Sequence, residues 1–322
     1  MKRRQLAFAL GAISLLPSVA WAQTARRRLV VGVIRINPRD TNETFARPFR
    51  RDMAELGWKE NDNVEFVFVW AGGRNDVLPK LAADMVARKV DVIVTFGPIG
   101  ARAAQQATST IPIVGMSDDL VGSRLVQSMA RPGGNITGVS ILATELDAKR
   151  LEILHQAMPA ARRIGVLHDP SIAISLPPVK AAARTFGLEL VFEPAQTAEE
   201  TDAAIRALVK SRVAAVVVLA SANLNAFRAQ QIAAFAQARV PAIYEWPETA
   251  EQGGFIGYGP RNTVVYRHVA ELVNKILRGA KPADLPVEQP TRLELAINMK
   301  SARALYVKIP QSILVRADKV IG

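Results

Sequence analysis

One feature of the sequence constrains the fold most. From residue 29 almost to the C-terminus, short apolar runs alternate with stretches whose apolar residues have helical spacing. Uninterrupted apolar runs of this length are typical of strands that are buried on both faces. Strands separated by helices predict parallel sheets with helices on both sides, which is the doubly wound α/β class. The predicted strands are 29–34, 64–70, 92–96, 113–116, 164–167, 188–192, 214–219, 242–245 and 293–297.

The predicted helices lie between these strands, and one of them carries a start signal. Asp76 precedes a helical pattern that runs to residue 88, and aspartate is a favoured N-cap. We therefore expect Asp76 to cap that helix. The other predicted helices are 45–56, 100–108, 145–158, 179–186, 198–211 and 223–238, with a last one after Pro310.

Two passages of the sequence are alike in detail. KVDVIV at 89–94 leads through a helix to IPIV at 111–114, and RVAAVV at 212–217 leads through a helix to VPAI at 240–243. About 300 residues follow the N-terminal segment, which is more than one hydrophobic core usually supports. We therefore predict two related, Rossmann-like α/β domains with their joint near 141–146.

The N-terminus has the three parts of a cleavable secretory signal. Basic residues at 2–4 precede an apolar stretch at 6–19, and AWA at 20–22 is an acceptable cleavage site. The apolar stretch is shorter than the ~20 residues that a spanning helix needs. We predict that residues 1–22 are removed by cleavage between Ala22 and Gln23. The arginine pair at 3–4 leaves general secretory and twin-arginine export both open.

Cysteine is absent from the sequence, which excludes several classes of function. The chain has no lipid-anchor cysteine, no disulfide, no thiolate nucleophile and no cysteine metal site. An exported protein that is soluble and not a lipoprotein is predicted to lie in the periplasm. The net charge of +12 comes from basic residues that are not clustered with aromatics, so we expect no nucleic-acid partner.

A search for catalytic motifs gives negative results. The three histidines, His155, His168 and His268, have no metal-ligand spacing, and we expect His168 to be a buried, hydrogen-bonded residue. There is no nucleophile elbow and no phosphate loop, and the turn RINPRD at 35–40 lacks the glycines of a dinucleotide site. We therefore predict no catalytic residues, no metal and no cofactor.

Polar groups follow the predicted strands in both halves of the chain. In open α/β sheets, ligands bind in crevices at the carboxyl ends of the strands. Backbone amides at the helix start after Gly97 suit an anion, and acidic side chains suit an amino group. The predicted ligand-binding residues are Asn37, Gly97, Pro98, Ile99, Ser117, Asp118 and Asp119 in the first half and Asp169, Pro170, Ser221, Asn223, Tyr244, Glu245 and Tyr258 in the second.

Some of these candidates have a structural alternative. Asp119 and Asn223 precede helical patterns and are equally suited to act as N-caps. Tyr244, Trp246 and Tyr258 suit stacking on a ligand and are also suited to packing under a loop, and for a lone tyrosine core or rim packing is the commoner role. The sequence leaves these alternatives open.

Several passages resemble a known family. The most specific are TIPIV at 110–114, SD at 117–118 and SMARPGGNITG at 128–138. LGW at 56–58, WAGG at 70–73, GGFIGYG at 253–259, ILRGAKPADLP at 276–286 and NMKSA at 298–302 support them. Through these passages the mature chain resembles ABC-transporter substrate-binding proteins of the group that includes tryptophan-binding importer components.

The resemblance implies a type I periplasmic-binding-protein fold, in which two domains joined by a hinge close on a small solute. It implies delivery of that solute to an ABC permease in the inner membrane, by a protein that we expect to be monomeric and without enzymatic activity. In such a fold the chain crosses between the domains more than once. We therefore expect residues 26–142 in domain 1, 143–258 in domain 2 and 259–322 back on domain 1.

Two other functions stay open at this stage. One is a sensor that presents its bound solute to a membrane receptor kinase, and the other is a secreted enzyme. Departures from the family pattern leave the ligand open too: Asp119 replaces a proline, PIG at 98–100 replaces Thr-Pro-Ala, and Asp169 replaces an asparagine. If Asp118, Asp119 and Asp169 converge, they favour a ligand with an amine or another cation.

Overall fold

The computed structural model describes residues 27–39, 43–172 and 176–322. The predicted signal segment 1–22 and its cleavage site between Ala22 and Gln23 lie outside these ranges. Within them the chain forms two α/β domains, each built on its own twisted sheet. No helix in the described ranges is long and apolar enough to cross a membrane.

The first sheet has five strands, all of them parallel, in the order β2-β1-β3-β4-β5. Strands β1, β3 and β5 consist almost entirely of buried side chains because helices cover both faces. The strands are β1 Leu29–Arg35, β2 Val64–Trp70, β3 Val92–Phe96, β4 Ile113–Ser117 and β5 Ile136–Ser140.

The second sheet has seven strands in the order β12-β11-β10-β9-β8-β6-β7. Its neighbouring strands are parallel except for β10 and β11, which pair antiparallel. The strands are β6 Arg163–His168, β7 Glu189–Pro194, β8 Ala215–Val218, β9 Ala242–Tyr244, β10 Ile256–Gly259, β11 Glu294–Asn298 and β12 Lys319–Ile321.

Twelve α-helices connect these strands in the described ranges, and several have clear start signals. Thr197 and Glu200 form a reciprocal capping box at the start of α6, and Asn298 caps α11. The helices are α1 Glu43–Glu55, α2 Leu78–Ala87, α3 Gly97–Ala107, α4 Ala143–Ala157, α5 Leu176–Phe186, α6 Ala198–Lys210, α7 Ala222–Ala226, α8 Arg228–Ala238, α9 Pro247–Glu251, α10 Asn262–Leu277, α11 Met299–Ala304 and α12 Gln311–Leu314.

Two predictions about helices were wrong. Asp76 does not cap α2, because a short 3₁₀ turn at Asn75–Val77 precedes that helix and the Asp76 carboxylate pairs with Arg74 at 2.5 Å. The helix expected over 223–238 is broken at Phe227 into α7 and α8. In the first place a 3₁₀ turn replaces the start of the helix, and in the second a single residue interrupts it.

The last third of the chain crosses between the domains, and our prediction for it needs a correction. We expected all of 259–322 on domain 1. Helix α10 does pack there, with Val265, Tyr266 and Val269 in the core beneath the first sheet. Strands β11 and β12 instead extend the second sheet, and Leu295 and Ile297 enter its core. β11 lies there because it covers the otherwise open edge of β10.

The domains meet where the carboxyl ends of their strands face each other. Ala220 and Trp246, from the strand ends of domain 2, belong to the same buried apolar cluster as Phe96 and Tyr266 of domain 1. The Cα of Gly97 lies so close to domain 2 that a Cβ added there would be 2.8 Å from the Cβ of Ala222. The structure is therefore a closed arrangement, with the facing loops in direct contact.

Candidate functional site

A cavity lies between the facing strand ends. Loops after β1, β3 and β4 form its wall on domain 1, and loops after β8 and β9 form its wall on domain 2. This is the topological position at which doubly wound folds bind ligands. Its polar and charged lining consists of Arg35, Asn37, Ser117, Asp118, Ser221, Asn225, Glu245, Trp246 and Tyr266.

Arg35, the last residue of β1, is the buried cation of this cavity. Its guanidinium lies 4.0 Å from the ring centre of Phe96 and 4.8 Å from that of Phe45, so two aromatic faces stabilise its charge. Burial lowers the pKa of Arg35, and the nearby Tyr266 hydroxyl opposes that shift. The Nε atom has no hydrogen-bond partner in the part of the chain that the structure describes.

Asp118 follows β4 and supplies a carboxyl group from domain 1. Only 5% of the residue is exposed, and its Oδ2 atom has no hydrogen-bond partner among the described residues. Burial raises the pKa of Asp118 well above its usual range, and the neighbouring carboxyls of Glu245 and Asp147 raise it further. The Ser117 hydroxyl beside it likewise has no partner within the described ranges.

Glu245 follows β9 and supplies a second carboxyl group from domain 2. It is 7% exposed. Burial raises the pKa of Glu245 to about 7, while the positive charges of Arg150 and Arg228 oppose the rise. The cavity therefore has acidic groups on both walls, and each is costly to ionise in this enclosed position.

A buried ion pair lies behind the domain 2 wall. Arg150 of α4 pairs with Asp147 one turn earlier at 2.5 Å, and both residues are shielded from solvent. The Arg150 guanidinium also donates to the carbonyl oxygens of Tyr258 at 2.8 Å and Glu245 at 3.4 Å. Asp147 accepts from the amide of Ala220 at 3.1 Å. This pair fixes the carboxyl ends of β8, β9 and β10.

Asp169 follows β6, and its carboxylate is fully used by the protein. Oδ1 accepts from the Ser171 amide at 2.9 Å, the Ser171 hydroxyl at 2.6 Å and Gln196 Nε2 at 2.9 Å. Oδ2 accepts from the Ser221 hydroxyl at 2.8 Å and Asn223 Nδ2 at 2.7 Å. Asp169 thus positions Ser221 and Asn223 and has little capacity left for a ligand.

The three aspartates that we expected to converge do not do so. Asp119 turns away and accepts from the amides of Val121 and Gly122 at 3.0 and 2.8 Å, so it closes a turn and, since no helix follows it, is not the helix cap of the structural alternative. The carboxyl that shares the cavity with Asp118 is Glu245. The N-cap of α7 is Ser221, because its hydroxyl accepts from the amides of Asn223 and Leu224. Asn223 is not the cap.

A second, adjoining cavity collects other predicted residues. Gly97, Pro98 and Ile99 line it from the start of α3, opposite Asp169, Ser221 and Asn223. Gly97 has a φ of 75°, and it also lines the first cavity. The two cavities are therefore parts of one interdomain cleft.

Besides Asp119, three predicted residues lie outside this cleft. Tyr244 is buried in the core of domain 2, and that burial raises its pKa. Tyr258 packs against the core on the other face of the second sheet. Its link to the site is its carbonyl oxygen, which accepts a hydrogen bond from Arg150. Pro170 is an exposed turn residue. The two tyrosines are thus packing residues, which is the alternative reading.

Trp246 lines the cavity, where the sequence had suggested stacking on a ligand, but several other lining residues were missed by sequence reasoning. Arg35 lies next to a predicted strand end, so the strand-end rule pointed to its neighbourhood. Phe96 ends β3 and Met116 lies one residue before the end of β4, and both read as core residues. Tyr266 comes from α10, which returns to domain 1 after the second crossing, and no local signal marks it.

Metal ligands do not converge in the described ranges, since no group of three or more His, Asp or Glu side chains there is placed to hold an ion. His168 is partly buried beside Phe192, and burial lowers its pKa. His268 lies within 2.9 Å of Glu288 on a partly exposed face of α10. Neither lines the cleft.

Comparisons with known proteins agree on one family. Residues 31–321 match the family described as ABC transporter substrate binding protein. A curated relative, the tyrosine-binding protein of Clostridioides difficile strain R20291, is 25% identical over 286 residues, which is 87% of this chain and 82% of the relative. Neither chain leaves a large part unmatched.

Solved structures give the same result. A conserved domain protein from Vibrio cholerae O1 biovar El Tor is 26% identical, with a TM-score of 0.84 over 91% of this chain and 100% of the other. A Streptococcus pneumoniae ABC domain in complex with L-Trp is 24% identical, with a TM-score of 0.82 over the same shares. The two-domain α/β fold expected from the resemblance is confirmed. Because its family model matches nearly the whole described chain, the protein belongs to the ABC transporter substrate-binding proteins, which bind small solutes and are not enzymes.

Proposed function

We propose that this protein is the periplasmic solute-binding component of an ABC importer, and that it binds an amino acid in the interdomain cleft for delivery to an inner-membrane permease. The observation that carries the proposal is a set of buried polar atoms on the domain 1 wall of the closed cavity. Arg35 Nε, Ser117 Oγ and Asp118 Oδ2 have no hydrogen-bond partner in the described part of the chain. Buried polar atoms of this kind are otherwise costly, so they indicate a ligand.

The charges of the cavity suit a zwitterion. Arg35 offers a guanidinium to a carboxylate, and Asp118 and Glu245 offer acidic groups to an ammonium. Free amino acids carry both of these charges, which favours a solute of that class. The tyrosine-binding relative and the L-Trp complex support the same class.

The binding groups are divided between the domains, and this division supports a closing mechanism. Arg35 and Asp118 belong to domain 1, and Glu245 and Trp246 belong to domain 2. A solute that contacts both walls binds the closed form better than the open form and therefore shifts the population toward closure. The closed surface is then available to a permease.

Location and assembly are part of the proposal. The secretory signal at 1–22 and the absence of cysteine support a soluble periplasmic protein rather than a lipoprotein. The monomeric state stays a prediction.

The proposal is tested by titrating the secreted, processed protein with the twenty amino acids and with a set of sugars and polyols in a calorimeter. We expect heat and a raised melting temperature with one or a few amino acids. Arg35→Met is expected to lower that affinity at least tenfold, while Arg39→Met, at an exposed position on the same loop, leaves it unchanged. Binding only of sugars or polyols, or of no solute, contradicts the proposal.

A further inference from the structure

We propose that the ammonium group of the solute takes the place of a proton held between Asp118 and Glu245, so that binding releases this proton and weakens at low pH. The inference rests on the proposed function. It adds that the solute must carry a cationic group and that its binding is coupled to the release of a proton. It concerns the two carboxyl groups that face each other from opposite walls of the cleft.

The geometry places these carboxyls where a cation would bridge them. Asp118 is fixed by the end of β4 and Glu245 by the end of β9, and both line the same cavity. Asp118 Oδ2 is buried without a partner among the described residues. The Glu245 backbone is held by Arg150, so its position does not depend on the solute. A group that donates hydrogen bonds to both carboxyls would therefore connect the two domains.

The charged and titratable neighbours of the pair are already engaged elsewhere. Asp147 and Arg150 bind each other, and Asp169 accepts five hydrogen bonds. Arg228 donates to Gln252 and Asn225 on its own domain. Arg35 lies against two aromatic rings and beside the Tyr266 hydroxyl. Among the described residues, no ion pair joins Arg35, Arg150 or Arg228 to the carboxylate of Asp118 or Glu245.

In the closed cleft these two carboxyls do not both ionise near neutral pH, because burial raises the pKa of each and the Glu245 carboxylate raises that of Asp118 further. Burial raises the pKa of Glu245 to about 7 and that of Asp118 well above its usual range. One proton therefore stays on the pair. When an ammonium group enters, both carboxylates are favoured in their charged form and the proton passes to the buffer, so charge and atoms balance.

The sign of the pH effect follows from this exchange. Below the pKa of the pair, the solute must displace a proton, and affinity falls by up to about tenfold for each unit of pH. Above it, the pair is already ionised and affinity is independent of pH. We therefore expect affinity to rise between pH 5.5 and about 7 and then to level off.

The test uses calorimetry of the secreted protein with natural amino acids, each paired with its N-acetyl derivative, which lacks the ammonium group. Titrations at pH 6 in buffers of different ionisation enthalpy count the protons released. We expect release approaching one proton for each amino acid bound, and no binding of the N-acetyl forms. Glu245→Gln and Asp118→Asn are expected to abolish the release, and Asp119→Asn, outside the cleft, to retain it.

Several results would overturn the inference. The inference fails if the binding heat does not depend on the buffer, if affinity is constant from pH 5.5 to 8.5, or if an N-acetyl form binds equally well. Each of these results leaves the solute-binding proposal intact. If no amino acid binds the wild-type protein, the proposed function fails and the inference fails with it. The wild-type pH series needs no variant, so it decides the matter even if a substituted protein does not fold.

Discussion

At the residue scale, burial and hydrogen bonding separate the acidic side chains of the cleft into two roles. Asp169 accepts five hydrogen bonds and holds Ser221 and Asn223, whereas Asp118 keeps an oxygen without a partner among the described residues. Both follow buried strands, and the sequence offered the same signal for each. The sequence therefore predicted where acids would gather but not which would stay available, because that depends on donors up to 54 positions away.

Substitution of Asp169 tests its structural role. Asp169→Ala leaves buried donors unsatisfied, and we expect a loss of about 3 kcal/mol in the free energy of unfolding together with weaker solute binding. Asp119→Ala removes two hydrogen bonds at a partly exposed turn and is expected to cost about 1 kcal/mol with no change in affinity. Urea unfolding and calorimetry measure both. Equal effects on affinity would show that the assignment of the two aspartates is wrong.

The buried acids also make stability depend on pH. Because the pKa of Glu245 is raised from 4.5 to about 7, its contribution to stability is fully present below pH 4.5 and is lost as pH rises through 7. We expect the solute-free protein to lose on the order of 3 kcal/mol between pH 4.5 and 8 from this group. Glu245→Gln should flatten that decline in urea unfolding. An unchanged slope would mean that Glu245 is already ionised at low pH.

At the scale of elements, the alternation of strands and helices predicted most of both sheets, because buried parallel strands are apolar along their whole length. Strands β5, β10 and β12 were missed. The first two each contain a glycine at a close approach: Gly138 lies against the backbone of Gly115, and Gly257 against that of Trp246. A glycine interrupts the apolar pattern by which a strand is predicted from the sequence. At these two positions the close packing leaves no room for a side chain, so glycine is required. The placement of β11 and β12 depends on which sheet edge is open, which no local pattern records.

Helix α4 has a positioning role through its buried ion pair. Arg150→Met leaves Asp147 as an uncompensated buried charge, and we expect a loss of about 4 kcal/mol in the free energy of unfolding. The double substitution Asp147→Asn with Arg150→Met removes that charge and is expected to cost less than the single one. Urea unfolding of the two proteins provides the comparison. A double variant less stable than Arg150→Met would contradict this account.

At the scale of the whole molecule, the domains touch through small residues at facing loops. Gly73 of domain 1 lies against the ring of Phe227 of domain 2, so that an added Cβ would clash with it. Its neighbour Gly72 also has a positive φ, of 65°, but a Cβ added there meets nothing within 4 Å. An alanine at Gly72 therefore adds backbone strain alone, whereas an alanine at Gly73 adds strain and also a clash across the closed cleft.

We expect Gly73→Ala to weaken solute binding about tenfold, because the methyl group pushes Phe227 away and disfavours the closed form. Gly72→Ala should cost about 1 kcal/mol in stability through strain alone and leave affinity unchanged. Adding Phe227→Ala to Gly73→Ala should restore part of the lost affinity. Calorimetry and the radius of gyration from X-ray scattering report on these effects. A similar loss of affinity in both glycine variants would rule out the interdomain contact as its cause.

The central claim is that a solute bridges the two walls of the cleft through its charged groups. A crystal structure of the protein purified from its native compartment, with its co-purified solute, tests this most directly. We predict a small molecule whose cationic group lies within hydrogen-bond distance of Asp118 and Glu245 and whose anionic group faces Arg35. A solute bound elsewhere, or one in the cleft without a cation between the two carboxyls, would contradict the account.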